Sequence, residues 1–138
     1  MRAQTKLQIV VDTNVWISGL VFGGNPEKVI RLFVDGKVIV VTSEELLSEL
    51  RNKVTRKFPL FLPHLPLLEA SVRERSIIVP LGTQAITISR DADDDKLVET
   101  AITGRASFIV TGDKDLLTLQ SYEGIKILGP ADFLLRAN

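Results

Sequence analysis

The stretch Leu7-Gln-Ile-Val-Val-Asp-Thr-Asn14 is an apolar, β-branched run that stops at an acid. Its residue types predict a buried strand that ends at Asp12. A second stretch of the same kind, Ser107-Phe-Ile-Val-Thr-Gly-Asp113, ends in Asp113. If the two strands are parallel, both acids lie on the same edge of one sheet.

Strand-like and helix-like segments alternate along the rest of the chain. We expect further strands at 38–41, 77–79 and 125–128, a minor strand near 86–88, and helices at 26–34, 67–75, 115–119 and 130–135. Thr42 or Ser43 caps one more helix, and the acidic segment 91–95 opens another that runs to about 103. The prolines of 58–66 predict a loop with broken helical turns. This order favours a parallel sheet covered on both faces. We predict one three-layer α/β/α domain over 1–138, with a central parallel sheet of about five strands.

Composition excludes several kinds of active site. The 138 residues include no cysteine and one histidine, so disulfides, thiolate centres and multi-histidine metal sites are ruled out. Lysine plus arginine and aspartate plus glutamate number 17 each, so the net charge neither favours nor excludes a polyanionic partner. No apolar run has the length of a signal peptide or a membrane span, and we expect a cytoplasmic protein. In an enzyme of this composition, carboxylates are the expected working groups.

The two acids that follow strands have a structural and a functional interpretation. Asp12 and Asp113, and Asp115 beside it, are suitable helix N-caps. Ligands of open parallel sheets, however, bind outside the carboxyl ends of the strands. Two acids at two strand ends therefore favour a binding or catalytic site at that edge.

A helical wheel separates the acids of Asp91-Ala-Asp-Asp-Asp95. The helix has an apolar stripe formed by Leu97, Val98, Ala101 and Ile102. Acids in a first turn stabilise a helix by about 0.3–1 kcal/mol, which accounts for Asp93 and Asp95 at the sides of the stripe. Asp94 lies along its centre, where an ionised carboxylate facing the sheet is costly without a partner. A bound cation would remove that cost.

The preceding helix carries two acids that the wheel does not separate. Glu44 and Glu49 lie at opposite borders of an apolar stripe formed by Leu46, Leu47, Leu50 and Val54. A surface pair between Glu49 and Lys53, one turn on, is the structural alternative and is worth a few tenths of a kcal/mol.

Four of these motifs, in this order, resemble the PIN domain. They are Asp12-Thr-Asn14 after the opening strand, the Ser43-Glu-Glu-Leu-Leu-Ser-Glu-Leu50 helix, the Asp-rich helix start, and Val110-Thr-Gly-Asp113. Residues 91–101 and 108–117 are similar, more narrowly, to the bacterial and archaeal branch assigned to the toxins of toxin–antitoxin pairs. The resemblance spans about Leu7 to Leu135.

The resemblance implies a metal-dependent ribonuclease whose four acids hold Mg²⁺ or Mn²⁺ at the centre of a five-stranded parallel sheet. By position these acids are Asp12, Glu49, Asp94 and Asp113; the neighbouring groups and alternates are Thr13, Asn14, Asp91, Asp95, Thr111 and Asp115. RNA is the implied substrate, and a cognate antitoxin and a second copy of the chain are the implied protein partners. Hard carboxylate oxygens suit these ions, which lower the pKa of bound water.

Other functions fit parts of the same pattern. A non-catalytic RNA- or partner-binding module on the same fold is the main alternative. A phosphoacceptor receiver needs an acid after the strand 38–41, where Thr42 and Ser43 stand, and a haloacid-type phosphotransferase needs one where Asn14 stands.

Charge and aromatic residues add two open questions. Residues 51–75 have a net charge of +4 and residues 91–115 a net charge of −4, so a basic flank would guide a phosphate backbone towards an acidic centre unless it is simply a solvated face. Trp16 and Phe22 either stack on a base or, as their apolar neighbours favour, belong to the core or a dimer contact.

Overall fold

The computed structural model describes residues 6–82 and 92–137, and places strands and helices in alternation. They are β1 (Leu7–Val11), α1 (Thr13–Val21), α2 (Gly24–Val34), β2 (Val38–Thr42), α3 (Glu44–Lys57), a 3₁₀ helix (Pro59–His64), α4 (Leu65–Arg75), β3 (Ile77–Ile78), α5 (Ala92–Thr103), β4 (Phe108–Val110), α6 (Lys114–Leu119), β5 (Ser121–Tyr122), β6 (Ile125–Leu128) and α7 (Pro130–Ala137). Asp91 and the minor strand expected near 86–88 lie outside the described residues.

The sheet has six strands in the order β3-β2-β1-β4-β6-β5. The first five are parallel to one another, and β5 is a two-residue antiparallel strand at the edge. From β1 the chain adds β2 and β3 on one side, and then β4 and β6 on the other. The crevice between the carboxyl ends of β1 and β4 is therefore the topological switch point, where ligands of such sheets bind.

Helices cover both faces of this sheet, which confirms the predicted three layers. Side chains alternate along β1, so Ile9 and Val11 join one core cluster and Val10 joins the other. The first cluster is completed by α1, α2, α3, α4 and α7, and the second by α5 and α6 together with Leu46 of α3. Within the described residues, no helix is long and apolar enough to cross a membrane.

The two aromatic residues that follow Asp12 have different surroundings in the structure. Trp16 is buried and packs edge-on against Phe33, with ring centroids 5.6 Å apart, so it belongs to the core. Phe22 follows the helix and is 75% exposed, with one ring contact to Phe58. The turn after it needs glycine, because Gly23 and Gly24 have φ angles of 76° and 72°.

The carboxyl end of α5 comes very close to β2. A Cβ on Gly104, the residue after the helix, would overlap Cγ1 of the fully buried Val41 and lie 3.3 Å from the carbonyl oxygen of Thr100. The absence of a side chain at Gly104 therefore allows the carboxyl end of α5 to lie close to β2.

We expect Gly104→Ala to lower the free energy of unfolding by about 1–3 kcal/mol, because the stiff Val41 side chain has to move. Urea denaturation measures the change. Gly112→Ala is the matched control, since a Cβ at Gly112 meets nothing within 4 Å, and its expected effect is within about 0.5 kcal/mol. Equal losses in the two variants would contradict the close packing of α5 on β2.

Candidate functional site

Asp12 stands at the carboxyl end of β1 and is both a helix cap and a buried acid. Its backbone N–H donates to the Val110 carbonyl at 2.9 Å, which extends the ladder between β1 and β4 by one residue. Oδ1 accepts from the Asn14 N–H and the Thr13 hydroxyl, both at 3.4 Å, and caps α1. The residue is 8% exposed. Capping therefore uses one carboxylate oxygen, and the other turns towards β4.

Thr111 connects the two acids that follow β1 and β4. Its fully buried hydroxyl donates to Oδ2 of Asp12 at 2.7 Å and accepts from the backbone N–H of Asp113 at 3.0 Å. Asp113 is half-buried and caps α6, because its Oδ1 accepts from the N–H groups of Asp115 and Leu116. Asp115 itself is exposed. The Thr111 hydroxyl thus links the Asp12 carboxylate to the backbone of Asp113 at the carboxyl ends of β1 and β4.

Glu49 of α3 is linked to the residues beside Asp12 by the side chain of Lys53. Glu49 Oε1 lies 2.8 Å from Nζ of Lys53, and the two side chains are 12% and 14% exposed. The same Nζ donates to Oγ1 of Thr13 at 3.3 Å and to Oδ1 of Asn14 at 3.4 Å. The pair is therefore an enclosed link between α3 and the residues beside Asp12, and not the surface contact that the spacing alone suggests.

The two acids of α3 have different surroundings. Both oxygens of the exposed Glu44 accept from the guanidinium of Arg73, at 2.7 and 2.8 Å. These hydrogen bonds lower the pKa of Glu44 below its usual value and raise the pKa of Arg73. Glu44 thus holds α4, and Glu49 faces the candidate site.

Asp94 is buried in the first turn of α5, with 5% of its surface exposed, as the wheel predicts. Asp95 is half-buried beside it. The helix is tied to α3 by a buried contact of 3.1 Å between the hydroxyls of Thr100 and Ser43. Because the Thr100 hydroxyl donates to the Lys96 carbonyl and the Ser43 hydroxyl accepts from the Leu46 N–H, Ser43 donates to Thr100.

A cleft of about 360 Å³ opens between α3 and α5. It is lined by Glu44, Glu45, Ser48, Glu49, Asn52, Arg56 and Lys96. Cationic and anionic side chains therefore share one concave surface, and Glu49 connects that surface with the opening motif.

Several basic side chains of the flank predicted for 51–75 bind other groups of the same chain. Arg51 forms a bidentate pair with the buried Glu69 at 3.1 and 2.6 Å. Arg73 binds Glu44 in the same way, and Arg75 donates to the Val34 carbonyl at 2.8 Å. These guanidinium groups hold α2, α3 and α4 together. Arg56 from the flank and Lys96 from α5 line the cleft.

The oxygen donors at this edge suit a hard divalent ion, but their present arrangement does not enclose one. Carboxylates, a hydroxyl and an amide are the ligands that Mg²⁺ and Mn²⁺ prefer. Among residues 6–82 and 92–137, however, no three Asp, Glu or His side chains lie close enough to hold one ion together. Glu49 is bound to the Lys53 ammonium instead. The metal-binding roles of Asp12, Glu49, Asp94 and Asp113 therefore stay predictions.

Sequence reasoning missed Lys53 as a member of the site. The spacing of Glu49 and Lys53 on the helix was visible, but it indicates an exposed pair as readily as an enclosed one. The signal for enclosure is that both residues lie on the border of α3 that meets α1. Helix α1 itself has a weak amphipathic pattern, since its polar residues are only Thr13, Asn14 and Ser18.

The comparisons with known proteins agree with this fold. A family model described as PIN domain matches residues 8–115, a range that contains all four predicted acids. The chain is also 35% identical over 121 residues to "Uncharacterized protein MJ1680" of Methanocaldococcus jannaschii, which covers 83% of this chain and 76% of that protein. The name of that relative states no activity.

We expect Thr111→Val to lower the free energy of unfolding by about 1–3 kcal/mol, because it leaves a buried carboxylate oxygen and the Asp113 N–H without their hydroxyl partner. Chemical denaturation measures the loss. Thr118→Val is the control, since the exposed Thr118 hydroxyl bonds only within α6, to the Lys114 carbonyl; its effect should stay within about 0.5 kcal/mol. A Thr111→Val protein as stable as this control would argue against the bridge.

Proposed function

Because the chain belongs to the PIN domain family, whose members are generally nucleases, we propose that it is a metal-dependent ribonuclease. The observation that supports the proposal best is the bridge through Thr111, whose hydroxyl links the Asp12 carboxylate to the backbone N–H of Asp113 at the switch point of the sheet. Asp94 on α5 and Glu49 on α3 supply the other two acids. The proposed reaction is hydrolysis of RNA phosphodiester bonds.

Asp12, Glu49, Asp94 and Asp113 are the residues that would hold Mg²⁺ or Mn²⁺. When bound, such an ion lowers the pKa of water and offsets the charge that develops on the phosphodiester. The neighbouring groups orient the acids: the Thr111 hydroxyl fixes Oδ2 of Asp12, and the first turn of α6 fixes Oδ1 of Asp113. This chemistry is compatible with a chain that has no cysteine and one histidine.

The cleft between α3 and α5 is the proposed path of the RNA backbone. Arg56 and Lys96 line it together with Glu49. Cations at this position would bind phosphates next to the acidic site and favour approach of the polyanion. Arg51 and Arg73 do not serve in this way, because each is engaged by a carboxylate of the chain.

A non-catalytic RNA-binding module on the same fold is the second candidate. It is favoured by the pairing of Glu49 with Lys53, and by the absence of a ready group of three acids in the described part of the chain. Action as a toxin with a cognate antitoxin, homodimer formation and a cytoplasmic location stay predictions of the resemblance and the composition.

We expect the protein to cleave a mixed panel of RNAs in Mn²⁺ or Mg²⁺ and not in EDTA. Asp12→Asn and Asp94→Asn should each lower the cleavage rate by more than about 100-fold, because even groups behind a metal ligand are worth 10–100-fold. Gel analysis of end-labelled RNA measures the rates, and circular dichroism checks that each variant is folded.

Asp35→Asn is the matched control for these variants. Asp35 is an exposed acid after α2, at the opposite edge of the sheet from Asp12, and its replacement should leave cleavage unchanged. Full turnover by Asp12→Asn in the presence of metal would refute the proposed nuclease site. Binding of RNA without cleavage by the wild-type protein would support the binding module.

We expect Arg56→Gln and Lys96→Gln each to reduce the steepness of the salt dependence of RNA binding. Each lost contact with a phosphate of single-stranded RNA lowers the slope of log K against log [salt] by about 0.7. Fluorescence anisotropy, in an Asp12→Asn background that leaves the RNA intact, measures the slope. Lys37→Gln, on the exposed residue before β2, is the control. If that control changed the slope as much as the cleft variants, the cleft would not be the RNA path.

A further inference from the structure

Lys53 is an enclosed cation beside the opening motif Asp12-Thr-Asn14. Its side chain is 14% exposed, although lysine is rarely buried without a charged partner. Nζ touches three groups of known position: a carboxylate oxygen of Glu49, the hydroxyl of Thr13 and the amide oxygen of Asn14. The ammonium thus stands between α3 and the opening motif, among groups that are also suitable ligands of a hard metal ion.

We propose that Lys53 is the internal counter-ion of this site, and that a divalent metal ion binds by displacing it from Glu49. This inference rests on the proposed function and adds to it a residue that sets the affinity for metal. Lys53 is a positioning residue here, because it acts through Glu49.

Electrostatics explain why a counter-ion is needed. An ionised carboxylate with little exposure is costly unless a positive charge or several hydrogen-bond donors compensate it. The side chain of Glu49 is 12% exposed, and the ammonium of Lys53, 2.8 Å from Oε1, supplies that compensation. Contacts with Thr13 and Asn14 use the other hydrogens of the same ammonium and hold the opening motif against α3.

Competition follows from the same contact. Metal–oxygen distances for Mg²⁺ and Mn²⁺ are about 2.0–2.2 Å, so an ion on Oε1 of Glu49 would stand close to an ammonium that is itself within hydrogen-bond distance of that oxygen. Two cations at that separation repel each other strongly. The flexible four-carbon stem of lysine allows Nζ to leave when the ion arrives. Lys53 therefore weakens metal binding while it stabilises the protein that has no metal.

Two variants of Lys53 are expected to change the metal affinity in opposite directions, and a variant of Lys57 is their control. Lys53→Met keeps an unbranched apolar side chain and removes the charge. Lys53→Arg keeps the charge and can bind a carboxylate through two hydrogen bonds, which makes it the stronger competitor. Lys57→Met removes one positive charge from the exposed end of the same helix and controls for the general field.

Calorimetric titration of each protein with MnCl₂ gives the metal affinity. We expect Lys53→Met to bind Mn²⁺ about tenfold more tightly than the wild-type protein, since a competing charge-assisted hydrogen bond is lost. Lys53→Arg should bind it more weakly, and Lys57→Met should match the wild type. In EDTA, Lys53→Met should melt at a lower temperature than Lys57→Met, and added Mn²⁺ should raise the melting temperature of Lys53→Met by more, so that the difference between the two proteins narrows.

A double-mutant cycle with Glu49→Gln shows whether the effect passes through that acid. If Lys53 competes for Glu49, Lys53→Met no longer increases Mn²⁺ affinity once Glu49 is replaced. An equal increase in the Glu49→Gln background would show a general effect of charge and overturn the displacement.

The remaining outcomes separate this inference from the proposed function. If the wild type binds Mn²⁺, but Lys53→Met binds it equally or more weakly, then Lys53 is a purely structural residue and the nuclease proposal stands. If neither protein binds Mn²⁺, the metal-dependent function fails and the displacement fails with it. If Lys53→Met does not fold in EDTA, Lys53→Arg decides, because binding as tight as that of the wild type would contradict competition.

Discussion

The hydrogen bonds of one buried hydroxyl, that of Thr111, hold the candidate site together. Parallel pairing of β1 and β4 places Val11 beside Val110, so the next residues of the two strands, Asp12 and Thr111, leave the sheet side by side. A slip of one residue would turn one of these side chains to the other face. The register of the two strands therefore decides whether the Thr111 hydroxyl can join the Asp12 carboxylate to the backbone of Asp113.

The helices that carry Glu49 and Asp94 are positioned by contacts of a different kind. Ser43 caps α3 and also donates to Thr100 of α5, so one hydroxyl fixes the start of the first helix and the position of the second. Gly104 lets the far end of α5 lie close on β2. The packing of α5 thus depends on small residues that carry no acid, and a search for acidic motifs does not reveal them.

An acid could be singled out from the sequence where a short local pattern determines its surroundings. Asp12 and Asp113 follow apolar strands, and Asp94 lies on the apolar stripe of its own helix, so short patterns were sufficient to indicate all three. Glu49 and Glu44 lie at equivalent borders of α3 and differ through Arg73, which is 29 residues from Glu44 in the chain and binds it from α4. No periodicity encodes such a contact, and the resemblance to the PIN domain was needed to select Glu49. The strand β5 was missed for a related reason, since two residues are too few to show an alternation.

Charge counted along the chain proved a poor guide to the charge that a ligand would meet. The segment 51–75 has an excess of basic residues, yet Arg51 and Arg73 are each neutralised by a carboxylate of another helix, and Lys53 turns inward to Glu49. These cations form ion pairs with acids of the same chain, because enclosed or bidentate pairs hold helices together and a solvated cation does not. The surface of this segment is therefore less basic than the sequence suggests, and the cations that line the cleft adjoining Glu49 are Arg56 and Lys96. The pairing of Glu49 with Lys53 has a matching consequence for metal binding. Under the proposed displacement, a metal ion has to replace the Lys53 ammonium on Glu49, so its affinity is reduced by the free energy needed to break that pair.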